Sequence, residues 1–175
     1  MSVAISAEHE GCADVQATRA MFSDPRFYEL LTDLTPGADT VSLQIEADGQ
    51  RVTWSQQIRL PDSVPASLRS VVGAAMTITE TQQWLTVDGR HSATVHLVPA
   101  GLPAQLTGTY EIRPAAAEAG SHQMTGLDTK PCMVHVTAQV QVAIPIFGAK
   151  VEAIITEHFR EAVSVRSHAA RLWQS

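Results

Sequence analysis

The chain has 175 residues, of which 45% are apolar, so it is long enough for one domain with a real core and too apolar for wholesale disorder. Its net charge of -6, with no basic run and no interleaving of aromatic and basic residues, argues against a nucleic-acid surface. No apolar run approaches the ~18 residues of a membrane span, and residues 1–11 lack the basic and apolar regions of a signal peptide; the expectation is a soluble, cytoplasmic protein with residues 1–175 in a single domain and no integral membrane segment.

In residues 2–10, Val3, Ile5 and Ala7 alternate with Ser2, Ala4 and Ser6, the period of a strand with one buried face. Residues 13–34 read as two short helices. Asp14 caps the first, and Ser23 or Asp24 caps the second, with Pro25 at its first position, where a missing N–H costs little. Pro36 and Gly37 close the pair. A meander follows, in which Val41, Leu43 and Ile45 alternate with polar residues, Asp48-Gly49 is a two-residue hairpin signal, and Val52, Trp54 and Ile58 lie on the return strand. Residues 61–73 hold two prolines and read as a loop with a helical turn. Met76 and Ile78 resume the alternation, Asp88-Gly89 marks a second hairpin, and Ala93, Val95 and Leu97 lead on to Leu106, Tyr110 and Ile112. Residues 114–130 read as a long, mobile connection.

The last third carries the clearest pattern. Val134, Val136, Ala138, Val140, Val142 and Ile144 share one strand face, and His135, Thr137, Gln139 and Gln141 share the other. Pro145 ends the ladder and Gly148 permits a reversal. A long helix is then predicted from the spacing of Val151, Ile154, Ile155, Phe159, Ala162, Val163, Ala169 and Trp173. The fold class is α+β: an antiparallel sheet of about seven strands, two short helices after the first strand, and one C-terminal helix long enough to cover the apolar face.

That order resembles the helix-grip fold of the START-like superfamily, which includes polyketide cyclases and plant allergen-type (Bet v 1-like) lipid binders. The stretch from Val140 through Pro145, Gly148 and Lys150 to Glu152 is similar to the strand–Pro–Gly–Lys–x–Glu junction that opens the last helix of many members. With Glu80-Thr81-Gln82-Gln83-Trp84 it looks most like an uncharacterised bacterial branch, domain of unknown function 2505 (DUF2505). The resemblance implies a hydrophobic cavity between sheet and helix. It implies no particular reaction, because one fold hosts many functions.

Parity supplies the candidate lining: Trp54, Gln56 and Ile58 share a face, as do Met76, Ile78, Glu80, Gln82 and Trp84. The full inward set is Trp54, Gln56, Ile58, Met76, Ile78, Glu80, Trp84, Tyr110, Ile112, Val140, Ile155 and Phe159. A carboxylate aimed into an apolar space is costly unless paired, which makes Glu80 the best single anchor or acid–base group. A bulge after Thr79 would instead turn it to solvent. The expected function is binding of a small, largely apolar ligand such as a lipid, an isoprenoid or a polyketide-like molecule. The alternatives are a cyclase or hydratase using Glu80 or His9, and a filled core serving as an interaction or homodimerisation module.

Other chemistry has little support. The seven histidines make no H-E-x-x-H or H-x-H pattern, His91 and His96 fall on opposite strand faces, and no metal site is expected. No nucleotide loop or nucleophile elbow occurs, so no cofactor and no catalytic triad is expected. Cys12 and Cys132 read as buried thiols, brought near each other if the first and last strands pair. Arg160, Arg166 and Arg171 read as complements of the helix dipole and of the helix's own glutamates.

Overall fold

Seven strands form one antiparallel sheet in the order β1-β7-β6-β5-β4-β3-β2. They are β1 Ser2–Glu10, β2 Ala38–Ile45, β3 Arg51–Arg59, β4 Ala75–Val87, β5 Arg90–Pro99, β6 Ala104–Arg113 and β7 Met133–Val142. The helices are α1 Val15–Met21, α2 Pro25–Leu34 and α3 Gly148–Trp173. This is a computed structural model that describes residues 2–60, 66, 69–70, 73–114, 131–143 and 148–175. α3 lies against β1, β7 and α2. The arrangement is the α+β helix-grip fold.

Local chemistry accounts for the element ends. The Asp14 carboxylate accepts from the Ala17 N–H at 2.7 Å, and the Asp24 carboxylate accepts from the Arg26 N–H at 2.9 Å with Pro25 opening α2. Asp88 and Gly89 have φ of 50° and 74°, the pair of left-handed residues that a two-residue turn between β4 and β5 needs. The Asp48-Gly49 hairpin is longer than its sequence signal suggests, since β2 ends at Ile45 and β3 begins at Arg51. Asp48 there accepts from the Gln50 N–H at 3.0 Å, and the Gly49 N–H bonds to the Glu46 carbonyl at 2.7 Å, which favours a wider loop over a tight turn.

The first and last strands pair in register, from Val3 opposite Val140 to His9 opposite Val134. Two backbone bonds extend the pairing, Gly11 N–H to the Cys132 carbonyl and Cys132 N–H to the Cys12 carbonyl, both 2.7 Å. The cysteines are therefore neighbours, and both are buried thiols outside any disulfide. Burial is the main cause that pushes the Cys12 thiol up to about 11.

The helix stripe needs one correction. Ala162 is exposed, while Ile154, Ile155, Phe159 and Val163 are partly buried, and Ala169 and Ala170 are sealed. The apolar repeat runs through Ile155, Phe159 and Ala169–Ala170, which rotates Ala162 to solvent. Of the 61–73 segment, Ala66, Arg69 and Ser70 are helical; Ile144, Pro145, the side chain of Val151 and the 115–130 connection lie outside the described residues.

Candidate functional site

Strand register sorts the inner sheet face into rows. One row crosses all seven strands: Leu43, Trp54, Glu80, Leu97, Leu106, Val140 and Val3. The two sides of it differ. Towards α1 and α2, Gln82 and Val95 begin an end that is filled. Phe22 and Phe27 are completely buried, Phe22 packs on Trp84 at 4.8 Å between ring centroids, and Tyr28 packs edge-on to Trp54 at 5.4 Å. Ile112, Val134 and Ala169 complete this cluster. In the other direction lie Gln56 and Ile78, then Ile58 and Met76, all only partly buried. Leu97, Ile155 and Phe159, also partly buried, pack against a smaller cluster of Ala104, Leu106, Ala138, Val140 and Val142. Phe159 touches both clusters.

A charged group stands on the border between these ends. Glu80 is only 3% exposed, so no bulge turns it to solvent, and it points inward as strand parity requires. Its Oε2 accepts from Arg166 Nη2 at 2.6 Å. Its Oε1 accepts from Gln82 Nε2 at 2.8 Å and from the Tyr110 hydroxyl at 3.0 Å. Gln82 Oε1 in turn accepts from Trp84 Nε1 at 2.9 Å, and the Tyr28 hydroxyl donates to the Phe22 carbonyl at 2.9 Å. A buried ion pair is tolerable only when its remaining donors and acceptors are engaged, and most are here. Burial, outweighed by the charge of Glu80, leaves the Arg166 guanidinium raised and firmly protonated. Burial also holds the Tyr28 and Tyr110 phenols above their usual range, so both are neutral donors.

Among the described residues, five buried side-chain polar atoms lack a hydrogen-bond partner: Arg166 Nη1, His9 Nε2, Gln56 Oε1, Glu152 Oε1 and His91 Nε2. The Glu10 carbonyl lies 2.9 Å from His9 Nδ1; a carbonyl only accepts, so Nδ1 carries the proton and Nε2 is a bare acceptor. His9 is lowered to about 4, chiefly by burial, with the positive Arg166 acting in the same direction.

The candidate residues therefore divide. Gln56, Ile58, Met76 and Ile78 lie together at the loosely covered end, and Ile155 and Phe159 pack on the smaller cluster beside it. Trp54, Glu80 and Val140 stand in the border row. Trp84, Tyr110 and Ile112 lie in the aromatic end. Arg166, Gln82, Tyr28 and Glu152 are buried polar residues outside the candidate set. Arg166 is the consequential one: it is no surface complement of the helix dipole but an inward partner of a strand carboxylate. The signal was its spacing, seven residues after Phe159 and three before Ala169, which keeps it on the inner stripe.

Hollows also open at the surface among the described residues. One, of about 640 Å³, is bounded by the β5–β6 connection and the end of β7, including Val98, Leu102, Pro103 and Val142. Another, of about 450 Å³, lies between α1 and β4, where the Arg19 guanidinium covers the Trp84 ring at 4.6 Å.

A family described as protein of unknown function (DUF2505) matches residues 6–173. The chain belongs to this family. Several solved structures share the fold of this DUF2505 protein. A START superfamily protein from Mycobacterium smegmatis is 12% identical, with a TM-score of 0.54 and 98% of each chain covered. A norcoclaurine synthase point mutant from Thalictrum flavum, bound to a transition-state analogue, is 20% identical, with a TM-score of 0.53, 100% of this chain and 96% of that one covered. A Thermus thermophilus protein is 14% identical, with a TM-score of 0.54 and both chains fully covered. At these identities the likeness concerns the fold. No curated protein matches the sequence, and among the described residues no helix is long and apolar enough to cross a membrane.

Proposed function

We propose that this DUF2505 protein binds a small, largely apolar molecule between α3 and the inner face of β3–β5. One observation carries the reading: the inner face is sealed by aromatics at one end but only partly covered at the other. There Gln56, whose Oε1 is buried and unpartnered, shares the inner face with Ile58, Met76, Ile78 and Leu97, and Ile155 and Phe159 of α3 are only partly buried. Apolar walls with a few polar anchors are the usual make-up of a small-molecule site. A filled core would be expected to replace Gln56 by an aliphatic residue, since an unpaired buried polar atom costs about 1–3 kcal/mol. The ligand's apolar body would contact this end, with the Glu80–Arg166 group as its polar floor. Trp84 and Ile112 would support the floor from behind.

Binding is favoured over catalysis by Glu80. Its two oxygens already accept three hydrogen bonds, so the carboxylate is engaged in holding the network rather than free to take a substrate proton. A norcoclaurine synthase shares this fold, and one fold hosts many functions, which makes the fold neutral on this point.

The test is a fluorescence titration of the full chain with N-phenyl-1-naphthylamine, repeated on Ile78→Trp, which fills the proposed space, and on Leu85→Trp at the exposed end of β4. Saturable binding lost only in Ile78→Trp supports the proposal. Absence of binding, or equal binding in both variants, refutes it.

A further inference from the structure

We infer that the ligand of this site carries a neutral hydrogen-bond acceptor, a carbonyl or ether-type oxygen, received by Arg166 Nη1. The inference rests on the binding reading above and adds the ligand's polar chemistry.

Arg166 is fully engaged on one side only. Nη2 bonds Glu80 at 2.6 Å, while Nη1, equally buried, meets no acceptor of the protein. A guanidinium N–H left unpaired in an apolar setting is costly, and a ligand oxygen that accepts from it recovers that cost. Arg166 stands on α3 between Phe159, which packs against both clusters, and Ala169–Ala170 in the sealed one. This places the guanidinium at the inner limit of the loosely covered end.

Charge decides the kind of acceptor. Glu80 and Arg166 cancel, and Tyr28 and Tyr110 are neutral. The neighbouring His9 is also neutral at physiological pH, and its bare Nε2 is an acceptor that offers an anion nothing. A carboxylate or phosphate seated on Nη1 would leave an uncompensated negative charge beside Glu80. A neutral oxygen takes the same hydrogen bond without that charge. The class is therefore an apolar ketone, ester or similar molecule rather than a fatty acid or a lipid phosphate.

The experiment displaces N-phenyl-1-naphthylamine from the full chain at pH 7.5 with three matched molecules: 2-undecanone, 2-methyl-1-undecene (the same shape without the oxygen) and undecanoate. The ketone is expected to bind about tenfold or more tightly than the alkene, with undecanoate no better than the alkene. In Arg166→Lys the ammonium has its three N–H donors on one nitrogen, held at Glu80 by the ion pair, with no second nitrogen at the Nη1 position, so the ketone's advantage should fall below about threefold while the fluorescent probe still binds. If that variant does not fold, the charge-free pair Glu80→Gln with Arg166→Met replaces it, with the same expectation. A ketone advantage that survives both changes, no discrimination by the native protein, or tighter binding of undecanoate overturns the inference while leaving the binding reading intact. Failure of the probe itself to bind overturns the binding reading and this inference with it.

Discussion

Arg166 on α3 and Glu80 on β4 meet at 2.6 Å across 86 residues of sequence, both nearly closed off from solvent. The pair ties the C-terminal helix to the middle of the sheet. Removing one partner leaves a buried charge alone, which typically costs about 3–5 kcal/mol, whereas an apolar or neutral replacement of both is often close to neutral. Arg166→Met and Glu80→Leu should each lower stability by roughly that amount, and the double variant should recover most of the loss. Urea unfolding of the four proteins measures this. Additive losses in the double variant would mean that the two residues do not act as a pair.

His9 should make stability depend on pH. It is held at about 4 in the folded protein, against 6.5 when exposed. Between those values the unfolded chain binds a proton that the folded chain refuses, so unfolding gains as pH falls. The contribution is complete above about pH 6.5 and is lost towards about pH 4, on the order of 3 kcal/mol in all. His9→Phe should flatten that part of the profile, as read from urea midpoints at pH 7.5, 6.0 and 4.5. An unchanged slope in the variant would assign the acid sensitivity to other groups.

Much of the fold was legible because alternation survives wherever one strand face meets a core. Val134 to Val142 and Val3 to Ala7 were readable in this way, and so were both helix caps, Asp14 and Asp24. The site was legible only in part. Parity placed Glu80, Gln56 and Ile78 on one face, but a strand's own pattern cannot say what lies opposite. Arg166 was hidden for that reason: a cation near a helix C-terminus has a sufficient local explanation in the dipole, and only its long-range partner reveals its burial. The division of the inner face into filled and loosely covered ends depends on where Phe22, Phe27 and Tyr28 dock, which is a matter of helix placement and not of periodicity.

Gly108 on β6 should tolerate no side chain. A Cβ there would lie 2.2 Å from the Thr137 carbonyl oxygen and 2.9 Å from the Ala138 Cα, both backbone atoms of the adjacent β7. The strands would have to part, at a cost of about 1–3 kcal/mol or more. Gly108→Ala should lower the urea midpoint accordingly. Gly89→Ala loses a φ of 74° but meets no atom within 4 Å, so it isolates the cost of the backbone conformation alone. A smaller loss at Gly108 than at Gly89 would contradict the close approach.

Cys12 and Cys132 should be silent in the native protein. Both are buried, and with Cys12 at about 11 only about a thousandth of it is thiolate at pH 8. A thiol reagent such as 5,5′-dithiobis(2-nitrobenzoate) should label neither cysteine over minutes and both on adding denaturant. Rapid native labelling would show that this corner of the β1–β7 pairing opens readily.

The central claim is that the ligand occupies the loosely covered end of the inner face. Methyl-resolved NMR of the full chain, titrated with N-phenyl-1-naphthylamine, tests it most directly. The account predicts saturable shifts at the methyls of Ile58, Met76, Ile78, Leu97 and Ile155, with those of Val52, Ile112 and Val134 little changed. Shifts confined to Leu85 and Val87 on the surface, or to Val98 and Leu102 beside the β5–β6 connection, would contradict it.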